Sequence, residues 1–379
     1  MRDYSRKEHT CFMRLEGLSI LNYKNIAQVD LLLASKINCF LGQNGAGKTN
    51  ILDAIYYMSF CKSGISQHDV HIIRHGEGSF LLQGYYLKDN NDRLDVSIGG
   101  KVGGRKVIKC DGKFCKKLSE HIGRIPLVMV APSDVTLVTG GSEERRRMMD
   151  IIISQYDRQY LSALIRYNKA LQQRNSLLKQ DNPASVEMLE LYEQMMVQES
   201  HVIVSSRVAF VQQMVPVFND LYARIGGHSE VVSLSYNSRC QDEDLAQLFE
   251  RGRYKEMAVG YSLYGPHRDD FDMLLNGFPV KKEGSQGQCK TFVLALKFAQ
   301  FDFLRKQEQE LPILLLDDVF DKLDERRVEN IMDLVSSDGF GQIFVTDTNR
   351  DHLDMILSRS QSDYKIFKVE EGEVYNAEK

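Results

Sequence analysis

Gly42-Gln43-Asn44-Gly45-Ala46-Gly47-Lys48-Thr49 follows the apolar run 37–41 and runs straight into Ile51-Leu52-Asp53-Ala54-Ile55. This is a strand, a glycine-rich loop and the start of a helix. Glycines at this spacing let backbone N–H groups converge on a polyphosphate. Lys48 can then reach the outer phosphates, and the Thr49 hydroxyl is placed to sit on Mg²⁺. The stretch therefore assigns a ligand class, ATP or GTP, with Gly42 through Thr49 as the phosphate cradle.

Working outward, the second half of such a site is expected at the carboxyl end of a buried strand. Pro312-Ile313-Leu314-Leu315-Leu316-Asp317-Asp318 has that composition, an apolar run ending in two carboxylates. In this reading Thr49 and Asp317 hold the Mg²⁺, and Asp318 orients the attacking water or accepts its proton. Lys48, Asp317 and Asp318 are the catalytic candidates. Asp317 follows Thr49 by 268 positions, more than a simple P-loop kinase or small GTPase inserts there.

What fills that gap is largely helical. Residues 13–140 read as short strands (15–21, 29–33, 37–41, 80–87, 94–98 and 107–110) around the helix after Thr49. From Gly140-Gly141-Ser142-Glu143-Glu144 onward the texture changes. Ser142 is expected as an N-cap with acidic residues in the first turn, and apolar residues then recur at helical spacing from Ile153 to Leu178. Asp181-Asn182-Pro183 interrupts the pattern, which resumes from Val186 to Val208. Two long antiparallel helices are expected, the first about 50 Å long at 1.5 Å per residue. Pro216 should end or kink the second, and Gly226-Gly227 should close it. Strands at 231–236, 270–275, 313–316 and 342–346 and helices near 289–306 and 324–336 complete the pattern.

Gly284-Ser285-Gln286-Gly287-Gln288 is a second glycine-rich segment before a helix, 29 residues ahead of Asp317, counted from Gln288. On its own it is either a helix cap or an anion site. Beside both halves of a nucleotide site, the second reading prevails; the segment resembles the signature element of ABC-type ATPases, which implies that Ser285, Gln286, Gly287 and Gln288 contact the nucleotide of a partner subunit.

Bulk properties narrow the class further. The 379 residues exceed one typical core, composition is ordinary for a globular protein, and no apolar run approaches membrane-spanning length. Nothing at the N-terminus resembles a signal peptide, so a cytoplasmic location is expected. Residues 1–12 read as a disordered tail, with Met13 an alternative start. Seven cysteines, at 11, 39, 61, 110, 115, 240 and 289, contain no CxxC pair and read as reduced thiols. The formal net charge of −4 gives no global attraction to nucleic acid, so a DNA surface must be local. Two clusters qualify. Lys101, Arg105, Lys106, Lys109, Lys113, Lys116 and Lys117 lie around a hairpin expected to turn at Asp111-Gly112, and Arg145, Arg146 and Arg147 stand at the base of the helical arm. Each is either a phosphate-binding surface or a structural face, since lysines also block edge pairing and arginines can pack on an acidic first turn.

The order of these motifs resembles the RecF family of bacterial recombination-mediator ATPases. The residues that carry the resemblance are Leu21-Asn22-Tyr23-Lys24-Asn25, the phosphate loop, and Ala131-Pro132-Ser133-Asp134-Val135. Glu144-Arg145-Arg146-Arg147-Met148-Met149-Asp150, Gly265-Pro266-His267-Arg268-Asp269-Asp270, Ser285-Gln286-Gly287-Gln288 and Leu316-Asp317-Asp318-Val319 complete the set. The resemblance implies an α/β fold, an ABC/SMC-type P-loop ATPase head split in sequence. The head would comprise 13–140 and 227–379, with 141–226 as an inserted antiparallel helical hairpin. It further implies ATP and Mg²⁺ as cofactors, an ATP-dependent homodimer, slow DNA-stimulated hydrolysis, and DNA binding at gaps or single-strand/double-strand junctions. Recombinase loading with RecO and RecR proteins, support of replication and SOS induction follow from the same resemblance, with no membrane involved. Two alternatives stay open, a nucleotide-gated DNA clamp with negligible turnover and an ABC-type ATPase subunit of another complex. The chain departs from ABC and SMC heads in placing Ser133 or Asp134 where a glutamine usually stands, and Thr346-Asp347-Thr348 where transporters carry a switch histidine.

Overall fold

The computed structural model describes residues 11–66, 69–88, 90–180, 185–227, 230–308, 310–320, 323–335, 339–350, 354–355, 357 and 363–377. The chain packs into two units, residues 1–134 with 300–379, and residues 135–299. The segment 227–299, expected with the head, packs with the helical arm.

The first unit opens with β1 (Cys11–Tyr23), β2 (Ile26–Leu32) and β3 (Ile37–Leu41), followed by α1 (Lys48–Phe60). β1 begins at Cys11, so Cys11 and Phe12 belong to a strand and not to a tail; residues 1–10 lie outside the described part. β4 (Ser79–Lys88), β5 (Arg93–Lys101), β6 (Val107–Cys110), β7 (Lys113–Phe114) and β8 (Leu127–Val130) follow. β8 was missed in the sequence because its four residues are all buried and lack the alternation that marks a half-exposed strand.

The second unit is mainly helical. It contains α2 (Thr136–Thr139), α3 (Ser142–Tyr156), α4 (Arg158–Leu178) and α5 (Val186–Gly226), then β9 (Val232–Asn237), α6 (Leu245–Val259), β10 (Asp270–Leu275), β11 (Phe278–Pro279) and α7 (Val280–Glu283). α8 (Gln286–Glu308) carries the chain back into the first unit. There follow β12 (Glu310–Leu311), β13 (Ile313–Asp317), α9 (Glu325–Val335), β14 (Ile343–Asp347), β15 (Tyr364–Glu370) and β16 (Glu373–Ala377).

Three expectations for the arm need correction. The single first helix of about 50 Å is two helices, because Asp157 is extended (φ −110, ψ 100) and caps α4 by accepting from Tyr160 N–H. Gly141, and not Ser142, is the N-cap of α3. Pro216 lies inside α5 without ending it, and the 41-residue helix closes at Gly227, whose φ of 95 suits glycine. The turn expected at 181–183 falls outside the described residues.

In the first unit, one sheet has the order β16-β15-β3-β14-β13-β8, parallel except for β16. The other has the order β12-β1-β4-β5-β6-β7, with β2 also on β1. α1 touches strands of both sheets, which is why it is buried nearly all round and not along one stripe. Asp53 in its middle is fully buried, and it is compensated by Lys24 Nζ at 2.7 Å, Tyr23 OH at 2.7 Å, Ser63 Oγ at 2.7 Å and Gly64 N–H at 2.8 Å. Gln342 joins the two sheets, since its buried amide accepts from Leu15 N–H and donates to Leu15 O and Ala34 O.

Candidate functional site: a phosphate loop and an acidic strand tip

Parallel pairing decides where the motifs meet. β3 ends in the phosphate loop, β14 beside it ends at Thr346-Asp347, β13 ends at Asp317, and β8 ends at Val130 opposite Leu316. Four carboxyl ends therefore line one edge of one sheet, where such sheets bind ligands.

The loop has the backbone its glycines predict. Gly45 and Gly47 have φ of 83 and 115, and Gly47 is the N-cap of α1, with no side-chain cap bond and no acidic residue in the first turn. Its leading N–H groups are thus presented to an anion, with the helix dipole behind them. A Cβ at Gly42 would lie 2.3 Å from Val369 O, so the loop can lie against β15 only with glycine there. The Lys48 ammonium donates to Gly42 O at 2.7 Å and Gln43 O at 3.0 Å, holding the cation at the mouth of the loop. Burial lowers its pKa, while Asp318, Asp317 and Asp347 act in the opposite sense.

Across from it, Thr49 Oγ1 donates to Asp317 Oδ1 at 2.9 Å. Thr346 Oγ1 donates to the same oxygen at 2.7 Å and accepts Asp318 N–H at 3.0 Å. Burial raises the Asp317 pKa, the two hydroxyls oppose it, Asp318 adds to it and Lys48 opposes it. Asp318 takes a left-handed backbone, φ 47, at the turn leaving β13. Hydroxyl and carboxylate oxygens of this kind are hard donors that suit Mg²⁺.

Sequence reasoning overlooked a brace under the loop. Asn25 Nδ2 donates to Ala46 O at 3.2 Å, Asn50 Nδ2 donates to Asn25 Oδ1 at 2.7 Å, and Gly372 N–H donates to Ala46 O at 2.8 Å. The Asn25 side chain packs so close to Gly47 that a Cβ there would meet it at 2.8 Å. The motif Leu21 to Asn25 thus divides its work, with Tyr23 and Lys24 neutralising Asp53 and Asn25 setting the phosphate loop. At the end of β8, Asp134 accepts Ala131 N–H at 2.7 Å, which fixes the turn holding Ser133.

In the second unit Ser285 caps α8, and Gln286 to Gln288 are already in its first turn, ahead of the start expected near Cys289. Ser285 N–H donates to Gln288 Oε1 at 2.8 Å and Gln288 N–H donates to Ser285 Oγ at 3.2 Å, a reciprocal capping box. Gln288 Nε2 also donates to Glu230 at 2.7 Å. Gln286 and Gly287 stand between the two capped positions at the exposed start of the helix.

The basic candidates separate by environment. Arg145 is buried and forms a two-pronged ion pair with Asp270, 2.6 and 3.0 Å, while also donating to Leu137 O. Arg146 donates to Asp269 O at 2.7 Å. The Arg145 guanidinium is thus taken up inside the arm, whereas Arg146, with this one bond, and Arg147 are half-buried beside it. Lys106 Nζ donates to Cys61 O at 2.7 Å just past the C-terminal end of α1, a structural cap favoured by the helix dipole. Lys109 and Lys113 stay exposed on β6 and β7, Lys109 over the Phe114 ring, and Lys116 and Lys117 are exposed beyond them. The turn at Asp111-Gly112 forms as expected, with φ of 49 and 75.

The hexapeptide Gly265 to Asp270 turns out to organise the arm. Arg207, buried in α5, donates to Asp269 at 2.9 Å, Asp150 at 2.8 Å, Pro266 O at 2.8 Å and Tyr160 OH at 3.0 Å. Tyr236 OH donates to Asp269, and His267 Nδ1 accepts from Tyr167 OH at 2.7 Å.

Comparison with known proteins agrees with this geometry. The family model for the RecF/RecN/SMC N terminal domain matches residues 14–374. A protein of Bacteroides thetaiotaomicron, named DNA replication and repair protein RecF, is 50% identical over 360 residues, 95% of this chain and 98% of that protein. Its namesake in Porphyromonas gingivalis strain W83 is 47% identical over 366 residues, 96% of this chain and 100% of that protein. Among solved structures, one described as the recombination mediator protein RecF-ATP in the RecFOR pathway has a TM-score of 0.87 at 26% identity and covers all of both chains. An Smc head domain from Pyrococcus furiosus shares the fold, with a TM-score of 0.58 at 17% identity, covering 96% of each chain. A phosphate loop tied to an acidic strand tip, on a chain matched from end to end, leads to one conclusion: the chain belongs to the RecF family, with the ATPase head of the SMC type.

Proposed function

We propose that this chain is an ATP-dependent DNA-binding protein of recombinational repair that dimerises on ATP and hydrolyses it slowly. The observation that carries the reading is the Thr49 Oγ1 to Asp317 Oδ1 hydrogen bond of 2.9 Å, which closes two motifs 268 positions apart into one site. The ATP named in the solved relative's description supports the choice of nucleotide.

In this reading Gly42 to Thr49 cradle the phosphates and Lys48 moves from the Gly42 and Gln43 carbonyls to the outer phosphates. Thr49 and Asp317 would hold Mg²⁺, which when bound neutralises phosphate charge. Asp318 orients the attacking water and accepts its proton. Ser285 to Gln288, at the start of α8, reach the nucleotide of a second copy, Gln286 and Gly287 offering N–H groups. The functional head then comprises 13–140 and 227–379, with 141–226 as the arm, even though 227–299 packs with the arm. Lys109, Lys113, Lys116 and Lys117 give the DNA contact, at gaps or single-strand/double-strand junctions. RecO and RecR proteins are the proposed partners in recombinase loading, with support of replication and SOS induction, in the cytoplasm. Among the described residues no helix is long and apolar enough to cross a membrane.

Light scattering with and without ATP and DNA, on the unmodified chain and on Lys48→Met, tests this. The unmodified chain should double in mass with ATP and bind DNA, and Lys48→Met should do neither with ATP. A nucleotide-independent dimer, or no DNA binding in either state, overturns the proposal. The shorter acid at Asp318 favours weak turnover; negligible hydrolysis by the unmodified chain replaces the ATPase reading with the clamp one, and an unchanged rate in Asp318→Asn removes Asp318 from the catalytic role.

A further inference from the structure

The cysteines are scattered in sequence, yet folding brings two of them together. In the β6–β7 hairpin Cys110 pairs with Lys113 and Lys109 with Phe114, and Cys115 N–H donates to Ile108 O at 2.9 Å. Strand alternation then puts Cys110 and Cys115 on one face as diagonal neighbours, and their sulfurs lie 3.5 Å apart. Cys115 is partly exposed, whereas Cys110 is buried. Behind Cys110 stands His121, fully buried, with Nδ1 3.5 Å from Cys110 Sγ and Nε2 2.6 Å from Met58 O. A carbonyl oxygen can only accept, so Nε2 carries the proton and donates. In the neutral ring Nδ1 then presents its lone pair to the thiol.

We propose that Cys110 and Cys115 form an oxidation site for hydroperoxides, closing to a disulfide with His121 as the base for Cys110. Cys115, the sulfur that solvent reaches, attacks one oxygen of hydrogen peroxide as its thiolate. An S–O bond forms, the O–O bond breaks, and the departing hydroxide takes up a proton to become water. Cys110 passes its proton to His121 Nδ1 and attacks the Cys115 sulfur. The S–S bond forms, the S–O bond breaks, and the second hydroxide recovers the proton from His121. Two thiols lose two electrons and two protons, and one peroxide becomes two waters.

Closing the bond brings the sulfurs about 1.5 Å nearer, with the short hairpin drawing in slightly to bridge a diagonal pair. Burial, with the Cys115 contact, pushes the Cys110 thiol up to about 12, so a buried base is what makes it competent as the second nucleophile. Cys61 shares the neighbourhood and is likewise pushed up to about 12 by burial, which leaves it a bystander. The inference is independent of the ATPase reading. Its consequence is local, a covalent staple in the hairpin that carries Lys109 and Lys113.

The test exposes the reduced full-length protein to hydrogen peroxide, quenches by alkylation and maps the peptides. A Cys110–Cys115 link should dominate. Cys110→Ser should stop at a Cys115 sulfenic acid trapped by dimedone, and Cys115→Ser should give neither product. His121→Gln keeps a donor for Met58 O but has no base, and should slow closure roughly a hundredfold at equal Cys115 sulfenylation. The site is overturned if the folded protein forms no such link, or if Cys240 oxidises as fast as Cys115. An unchanged closure rate in His121→Gln overturns the role of the histidine.

Discussion

Thr346 holds Asp317 and Asp318 in one motion, donating its hydroxyl to Asp317 Oδ1 at 2.7 Å and accepting Asp318 N–H at 3.0 Å. The residue sits on β14, the strand between the phosphate-loop strand and the acidic strand. It therefore sets the acid pair from the side facing the loop's own strand. Thr346→Val keeps the shape and loses both bonds. Asp318 N–H retains a 3.3 Å contact with Thr346 O, so the cost should fall at the low end of about 1–3 kcal/mol for orphaned buried groups. Mg²⁺-ATP affinity, measured by titration calorimetry, should drop by roughly tenfold, the equivalent of 1.4 kcal/mol. Thr346→Ser should restore it.

Asp317 illustrates a site maintained against stability. Burial raises its pKa in the folded chain above the unfolded value, so the folded state binds the proton more tightly. Its contribution to stability is then greatest below the unfolded pKa and is lost as pH rises through the folded one. Asp317→Asn keeps an acceptor for Thr49 and Thr346 without the buried charge. At neutral pH, without nucleotide, its Tm should rise by about 2–4 °C for each kcal/mol relieved. The same variant should lose Mg²⁺-dependent ATP binding. Calorimetric scans from acid to neutral pH would show the two chains converging at the acid end.

Much of this centre was legible because its parts are continuous: a glycine loop between strand and helix, and an apolar strand ending in acids. What the sequence hid was long-range. Asn25 and Thr346 lie in segments the sequence marks out, but their partners, the Ala46 carbonyl and Asp317, appear only once the fold is formed. Asp157 breaks the arm helix by itself, yet apolar spacing continues through it and masks the break. The arginines at 145 and 146 look like a surface cluster, since nothing local shows that Asp270 and the Asp269 carbonyl, more than a hundred positions away, will absorb them. The hexapeptide at 265–270 had no readable period because Pro266, His267, Asp269 and Asp270 serve different partners on α3, α4 and α5, while Arg268 turns back to the Ser262 carbonyl.

Arg207 is the central cation of that arm, 2% exposed and shared by Asp150 and Asp269. Removing it strands the buried Asp269 carboxylate and leaves the partly exposed Asp150 without its cation. Arg207→Ala should destabilise the arm by about 3–5 kcal/mol, as for one half of a buried ion pair. Arg207→Lys should recover only part, because a single ammonium cannot serve Asp150, Asp269, Pro266 O and Tyr160 together. Denaturant unfolding of the full chain, followed by exchange of α4 and α5 amides, measures both.

His267 should make the arm sensitive to acid. Burial pushes its pKa down to about 4, assisted by Arg268, Arg146 and Arg174 and opposed by the Ser262 carbonyl. The unfolded chain binds the proton more readily, near 6.5, so stability is full above that pH and is lost as pH falls from 6.5 toward 4. His267→Gln should flatten that part of the profile, read by urea midpoints across the interval. A profile no flatter than that of the unmodified chain would assign the acid loss to other groups.

The hairpin lysines separate a DNA surface from a helix cap. Lys109, Lys113, Lys116 and Lys117 are exposed, whereas Lys106 is tied to Cys61 O near the end of α1. If the exposed set neutralises phosphates, each contact contributes about 0.9 to the slope of log affinity against log salt on duplex and about 0.7 on single strands. Lys113→Glu with Lys116→Glu and Lys117→Glu should therefore flatten that slope by roughly 2–3 and leave the Tm within about 1 °C, since exposed substitutions cost little. Lys106→Met should do the reverse, lowering the Tm through loss of the cap while leaving the slope in place. Fluorescence anisotropy with a gapped duplex across a salt series, beside thermal scans of the same preparations, makes the comparison. A slope untouched by the triple reversal would move the DNA surface off this hairpin, whereas a slope lost in Lys106→Met would return that lysine to it.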